Sequence, residues 1–311
     1  MSDAYDELLR RCRPLDPVVT AVAFPCEQTA LTSVVEAAEA RLITPILVGP
    51  REQIRQVAAK ASLNIDAYPI EQADDAVSSA IKAVAIVRAG GAEALMKGSL
   101  HTDELMSAIV PSATGLRTGR RISHAFVMAL ATYPKPLIVT DGAINIAPTL
   151  EDKRDICQNA IDLAHSLGRA QPKVAILSAV ETVTTKIPST IDAAALCKMA
   201  DRGQITGALL DGPLAMDNAI SAEAARTKGI ISAVAGDADI LVAPDLEAGN
   251  ILAKQLTFLA NADAAGLVLG ARVPIILTSR ADSVQSRMAS CGVALLVAHA
   301  RRRGDSGASA A

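Results

Sequence analysis

At 311 residues, half of them apolar, the chain is long enough for two domains or one large one, with ample material for a buried core. A formal net charge of −3 offers no basic field to draw nucleic acid or an anionic membrane, and an aromatic content of 2% without tryptophan removes the stacking platforms of single-strand binders. The five cysteines, Cys12, Cys26, Cys157, Cys197 and Cys291, are odd in number and lack a C-x-x-C pair, which predicts neither a disulfide framework nor a thiolate metal site and fits a reducing cytoplasm. The first ten residues mix acids and bases rather than forming a secretory signal, and no apolar run reaches the roughly 18 residues of a membrane span.

In chain order, a strand is predicted at 18–24, a helix at 28–41 and a second strand at 43–48. Lys97-Gly98-Ser99-Leu100-His101-Thr102-Asp103 reads as a strand-to-helix turn, with Thr102 or Asp103 placed to cap a helix over 104–110. Hydroxyls and backbone amides there could cradle a phosphate oxygen, whereas a lone His101 reads as a hydrogen-bonding group of the turn. Arg117, Arg120 and Arg121 form a basic loop before a strand at 122–128; the loop is either solvated or a contact for phosphates.

The next strand, 137–140, runs into Thr140-Asp141-Gly142-Ala143, the best candidate for a boundary between domains, and a long helix follows at 150–167, closed by Gly168. Beyond Pro172 come a strand at 174–178, a helix at 191–202 and a strand at 205–210 ending in Asp211-Gly212-Pro213. That Asp-Gly-Pro is common turn chemistry, yet a carboxylate at a strand end could also assist proton transfer. A helix at 219–228 and a strand at 240–242 precede Pro244-Asp245-Leu246-Glu247-Ala248-Gly249-Asn250-Ile251, where Gly249 permits close backbone approach and Lys254 falls one turn beyond Asn250. The last strand, 273–278, enters Ser279-Arg280-Ala281-Asp282-Ser283 before the final helix. Asp282 or Ser283 can cap that helix, and Arg280 is a guanidinium at a strand end, where open α/β sheets bind ligands. The tail over 301–311 reads as disordered, its three arginines complementing the helix dipole.

Strands alternating with helices, each strand apolar along its length, predict an α/β fold with mainly parallel sheets covered by helices on both faces. No G-x-G-x-x-G follows the first strand, no P-loop or G-x-S-x-G motif occurs, and His101, His124, His165 and His299 lack the paired spacing of a zinc site.

Three separated motifs, Ser279-Arg280-Ala281-Asp282-Ser283, Pro244 through Ile251 and Lys97 through Thr102, occur in the order found in the phosphate acetyl/butyryl transferase family, which the chain resembles from about Val18 to its last helix. The resemblance implies two α/β domains, 1–142 with 267–311 and 143–266, around an active-site cleft. It also implies transfer of an acyl group between coenzyme A and inorganic phosphate, with coenzyme A as substrate, no tightly bound cofactor and no metal. Ser279 and Arg280 would lie at the reaction centre, with Arg280 on phosphate or the acyl-phosphate oxygen. Ser99, Thr102, Asp211, Asn250, Lys254 and Arg117 would contact phosphate or coenzyme A.

Acetyl-transferring members commonly read Ser-Arg-Gly-Cys-Ser with an acidic base a few positions on. Here the turn resembles the butyryl branch and Val284-Gln285-Ser286 offers no carboxylate, which leaves Asp282 as the candidate base. Acetyl is the first expectation and butyryl the alternative. Readings of another class are a metal- and nicotinamide-dependent dehydrogenase on a related fold and a non-catalytic coenzyme A sensor. The resemblance implies a homodimer; no nucleic-acid or membrane partner is expected.

Overall fold

The computed structural model describes residues 3–278 and 282–304. Contacts divide the chain into two compact units, Met1–Arg120 with Ala265–Arg303, and a second built on Arg121–Ala264. The predicted boundary after Gly142 placed the strands around 122–128 and 137–140 with the first domain; they pack within the second unit.

The first unit alternates strand and helix: α1 (Asp3–Cys12), β1 (Val18–Ala23), α2 (Gln28–Glu39), β2 (Ile43–Gly49), α3 (Arg51–Lys60), β3 (Ile70–Gln72), α4 (Ala76–Arg88), β4 (Ala94–Lys97) and α5 (Thr102–Ile109). The second unit continues with β5 (Ser123–Ala129), β6 (Leu137–Thr140), α6 (Leu150–Ser166), β7 (Lys173–Leu177), α7 (Pro188–Asp201), β8 (Leu209–Leu214), α8 (Met216–Ile220), α9 (Ala222–Thr227), β9 (Ile240–Val242) and α10 (Leu246–Leu259). Strand β10 (Asp263–Leu269) leads the chain back to the first unit, which closes with β11 (Ile275–Ile276) and α11 (Val284–Arg302).

In the first unit the strand order is β3-β2-β1-β4-β11-β10. All neighbours run parallel except β10, which pairs antiparallel with β11. Val18, Ala21, Val22, Leu47, Val48, Leu95, Ile275 and Ile276 are buried, which explains why these runs are apolar without alternation. Each such Leu or Ile contributes about 1.5–3 kcal/mol of burial free energy. Helix α11 is rich in Ala, Ser, Gly and Cys and is buried from Arg287 to Ala298, so it lies close against its neighbours α1 and α2. Its end is tied down as well: Arg301 donates to the Arg272 carbonyl (2.8 Å) and Arg302 pairs with Glu93. The terminal arginines are therefore bonded rather than simply solvated, and the remainder of the predicted disordered tail, 305–311, lies outside the described residues.

In the second unit the order is β5-β6-β9-β7-β8, parallel from β6 to β8, with β5 antiparallel to β6. Met128, Val139, Ala175, Leu241, Leu214 and Ala253 form its core. At the amino ends of β7 and β9, buried Asp239 accepts from Lys173 N (2.9 Å) and meets Lys135 Nζ (2.9 Å), while Tyr133 Oη donates to the Ala238 carbonyl (2.7 Å). Burial, with Asp237 and Asp239 nearby, pushes the Tyr133 phenol up to about 12, so it stays a donor at any ordinary pH. This ion-paired edge holds the strands together; the opposite, carboxyl edge is where an α/β sheet binds ligands.

Several expected elements shift. The strand predicted at 205–210 runs instead over Leu209–Leu214. Gly207 breaks the extended run with φ +82°, and its carbonyl lies 2.8 Å from His165 Nε2. Asp211-Gly212-Pro213 consequently lies inside β8 rather than in a turn, and a register shift between Ala175 and Leu177 absorbs it. The single helix expected at 219–228 is two, because the Ser221 hydroxyl accepts from Ala224 N (3.2 Å) and starts α9 afresh. The strand expected at 273–278 narrows to Ile275–Ile276, since Pro274 carries no N–H for the ladder. No helix among the described residues is long and apolar enough to cross a membrane.

Candidate active site

In the first unit, β1, β4 and β11 are adjacent and parallel, so the segments that leave their carboxyl ends share one edge. Ser99 follows β4 and is 6% exposed; its Oγ accepts the Cys26 N–H at 3.0 Å, which fixes the segment leaving β1. Buried Lys97 turns its Nζ onto the Gly98 (3.2 Å) and Leu100 (3.0 Å) carbonyls of the same turn. Thr102 does not cap α5 and neither does Asp103: the helix starts at Thr102, the cap position is His101, and the Glu104 carboxylate accepts from His101 N at 2.7 Å. Glu104 reaches back because a carboxylate in the first turn is also favoured by the helix dipole. Thr102 keeps its side chain part-exposed at this edge.

Strand β11 delivers Thr278 to the same edge, and beyond it Ser279, Arg280 and Ala281 lie outside the described residues. Of the two predicted caps of α11, Ser283 is the one used, its Oγ accepting from Ser286 N at 3.1 Å. Asp282 is half-buried and its backbone carbonyl accepts from the buried Arg287 Nε at 3.4 Å. Arg117 is exposed and sits elsewhere: its backbone bridges to Ala271, ahead of β11, with Thr118 Oγ1 donating to the Gly270 carbonyl (2.7 Å). That is the amino end of β11, the opposite edge of the first unit's sheet from Ser99.

In the second unit, the carboxyl ends of β6, β9 and β7 lie side by side. Asp141, 3% exposed, receives Ala143 N (2.8 Å), Ile144 N (3.0 Å), Asn145 N (3.3 Å) and Asn145 Nδ2 (2.6 Å). Several donors converging on one carboxylate fix its orientation and, with it, the loop that follows β6. Asn145 in turn donates to the Ile122 carbonyl (2.9 Å) and accepts from Arg121 Nε (2.7 Å), so one arginine of the basic loop is bound into this network. The sequence reading missed Asn145; its only local signal is an amide four positions after Asp141.

Helix α10 docks onto this loop. Its cap is Asp245, accepting from Ala248 N (2.9 Å), and Asn250 Nδ2 donates to the Gly142 carbonyl (2.9 Å). Gly249 makes the approach possible, because a Cβ there would stand 2.2 Å from the Asp141 carbonyl oxygen. Lys254 lies one turn further on and is exposed. Asp211 is half-buried within β8 and its Oδ1 accepts from Gly212 N (2.8 Å).

The structure thus brings Ser99 and Thr278 to one edge of the first unit, and joins Asn250 to Gly142 at the corresponding edge of the second. It leaves Arg117 apart from Ser99. Burial raises every thiol, Cys12 to about 11 and Cys26, Cys157, Cys197 and Cys291 to about 12, so none is an activated nucleophile at neutral pH.

The family model described as phosphate acetyl/butaryl transferase matches residues 68–295. A phosphate acetyltransferase of Rhizobium meliloti is 64% identical over 299 residues, 96% of this chain and 94% of that protein. A phosphate butyryltransferase of Clostridium beijerinckii is 41% identical over 298 residues, 96% of this chain and 99% of that protein. Among solved structures, a branched-chain phosphotransacylase from Enterococcus faecalis superposes with a TM-score of 0.80 at 31% identity, covering 91% of this chain and 99% of the other. A 4-hydroxythreonine-4-phosphate dehydrogenase from Klebsiella pneumoniae, at 15% identity and a TM-score of 0.54 over 91% of this chain and 99% of the other, shares the fold alone.

Proposed function

Because the chain belongs to the phosphate acetyl/butyryl transferase family, we propose that it is a phosphate acetyltransferase, moving an acetyl group reversibly between coenzyme A and inorganic phosphate. The observation that carries this reading is the 64% identity to a phosphate acetyltransferase along 96% of the chain. Identity to the butyryltransferase is lower, at 41%, although the Ser-Arg-Ala-Asp-Ser turn keeps the longer acyl group as the alternative.

In this account Arg280 holds the phosphate by paired charge-assisted hydrogen bonds and aligns one oxygen for attack on the thioester carbonyl. Ser279 stabilises the developing oxyanion. As the C–S bond breaks, the leaving thiolate takes a proton from the Asp282 carboxylic acid; in the reverse direction the Asp282 carboxylate removes the thiol proton before attack on acetyl phosphate. Ser99 and Thr102 contact phosphate from the edge they share, and Asn250, Lys254 and Asp211 contribute substrate contacts from the second unit. Arg117 serves a phosphate at the nucleotide end of coenzyme A, from the far edge of its sheet. The high pKa values of the five thiols favour direct transfer over a cysteinyl intermediate.

The protein works in the cytoplasm as a homodimer in this reading. Exposed Ile251, Phe258 and Leu259 on α10 support self-association. The test is release of free thiol from acetyl-coenzyme A and from butyryl-coenzyme A, each with and without phosphate. Phosphate-dependent release, faster from the acetyl substrate, is expected; release that ignores phosphate rejects the transfer reaction.

A further inference from the structure

Lys97 ends β4 with a charge that its setting does not ask for. Ala94, Leu95 and Met96 before it are apolar and buried, and in the register of β4 on β1 it lies beside buried Ala23. Lys97 itself is 5% exposed, and its Nζ donates to the Gly98 (3.2 Å) and Leu100 (3.0 Å) carbonyls. Taking an ammonium out of water costs free energy that a neutral amide, donating to the same carbonyls, would not. Satisfying the turn therefore accounts for the donor and not for the charge.

Around it the backbone is held in one arrangement. Gly98 N donates to the Ala23 carbonyl (2.9 Å) and Ser99 N to the Phe24 carbonyl (2.8 Å), and a Cβ on Gly98 would stand 2.4 Å from the Ala23 oxygen. Phe24 takes φ +54°, a left-handed backbone that a bulky residue rarely adopts and that concentrates at functional sites. Ser99 Oγ accepts the Cys26 N–H, so its own proton remains to be donated. The first turn of α5 adds two carboxylates to this edge, exposed Asp103 and half-buried Glu104, and both oppose an anion. A buried ammonium acts through a lower dielectric than an exposed carboxylate screened by water, so at equal distance Lys97 outweighs Asp103. We propose that Lys97 is a positioning residue for phosphate: its ammonium fixes the turn through Gly98 and Leu100 and supplies the positive potential in which the anion binds Ser99 and Thr102. The inference rests on the acyl-transfer reading, which puts phosphate against those two residues.

The test separates the donor from the charge: Lys97→Gln keeps a donor for the carbonyls and removes the charge, whereas Lys97→Arg keeps both. Each full-length variant is compared with wild type in thermal melts and in thiol release, with inorganic phosphate and acetyl-coenzyme A titrated in turn. Lys97→Gln should melt cooperatively, with KM for phosphate raised about tenfold, the order expected for one charge within a Debye length of a partly desolvated anion. Its KM for acetyl-coenzyme A and its kcat at saturating phosphate stay within about threefold of wild type, because only anion binding is weakened. Lys97→Arg, always charged, brings KM for phosphate back to within about threefold of wild type. A purely structural lysine gives a different pattern: Lys97→Gln binds phosphate as wild type does, or worsens kcat and both KM values together, or does not fold. Each of these overturns the proposal, and so does a folded Lys97→Arg with the same phosphate KM as Lys97→Gln. Where Lys97→Arg does not fold, the split between the two KM values of Lys97→Gln decides alone. A wild-type protein that shows no phosphate-dependent turnover overturns the acyl-transfer reading and this proposal with it. An active wild type beside a Lys97→Gln protein with unaltered phosphate KM overturns the proposal alone.

Discussion

Replacing Gly249 by alanine sets two physical effects against each other and so tests the geometry of the second unit sharply. In an ordinary helix the change stabilises by about 1 kcal/mol, because alanine loses less backbone entropy than glycine. Here the new Cβ would stand 2.2 Å from the Asp141 carbonyl oxygen and 3.2 Å from the Ala243 Cβ, and the oxygen belongs to backbone that cannot rotate away. Going from 2.2 Å to between 3.0 Å and the 3.4 Å of an ordinary contact requires α10 to move by roughly 0.8–1.2 Å, and overpacking that shifts backbone costs about 1–3 kcal/mol. The same movement stretches the 2.9 Å bond from Asn250 to the Gly142 carbonyl, worth about 1 kcal/mol. After the helix-propensity gain is subtracted, a net destabilisation of about 1–3 kcal/mol remains. Urea unfolding followed by circular dichroism measures it, and thiol-release turnover should fall in the fraction that stays folded. A Gly249→Ala protein about 1 kcal/mol more stable than wild type, with unchanged turnover, would refute the close approach of α10 to Asp141.

Two further outcomes follow from ionisation. Arg302, hydrogen-bonded to Glu93, holds that carboxyl below its ordinary value although burial opposes it, so the pair stabilises the fold above the unfolded glutamate pKa of about 4.3 and loses that contribution as pH falls through the lower folded value. Because both side chains are about a third exposed, the effect is under about 1 kcal/mol, and Glu93→Gln should flatten the stability profile only in that acidic window. The five thiols, raised by burial, should react slowly with a disulfide reagent at pH 8 in the folded protein and all together once it is unfolded; rapid labelling of the native protein would contradict their placement.

The alternation of apolar strands with helices made the α/β architecture legible before any coordinates, because strands buried on both faces have no other way to read. Strands ending at Thr140 and Val242 were located to the residue, each bounded by Asp or Pro punctuation. Where local and tertiary signals competed, the tertiary ones won. The apolar run 205–210 looked like a strand, yet Gly207 against His165 moved the strand on to Leu209–Leu214 and drew Asp211 into it. Turn chemistry at Asp-Gly-Pro was overruled by pairing with β7, a partner the local sequence does not name.

The site was legible in its parts and not in its assembly. Asp141-Gly142 and Gly249-Asn250 each read as a strand-to-helix turn, but the bond from Asn250 to Gly142 spans 108 positions and no local pattern encodes it. The same holds for Arg121, which read as a loop charge and is held by Asn145. Thr102 and Asp103 matched the statistics of caps, and the chain used His101 with Glu104 reaching back.

The most direct test of the acyl-transfer account is turnover of an Arg280→Ala protein, measured as phosphate-dependent thiol release, beside calorimetric binding of coenzyme A. With the guanidinium removed, kcat should fall by about 10²–10³, the loss seen when a preorganised donor to a developing anion is deleted, while coenzyme A binds as before. Turnover within twofold of wild type would contradict the assignment of phosphate to Arg280.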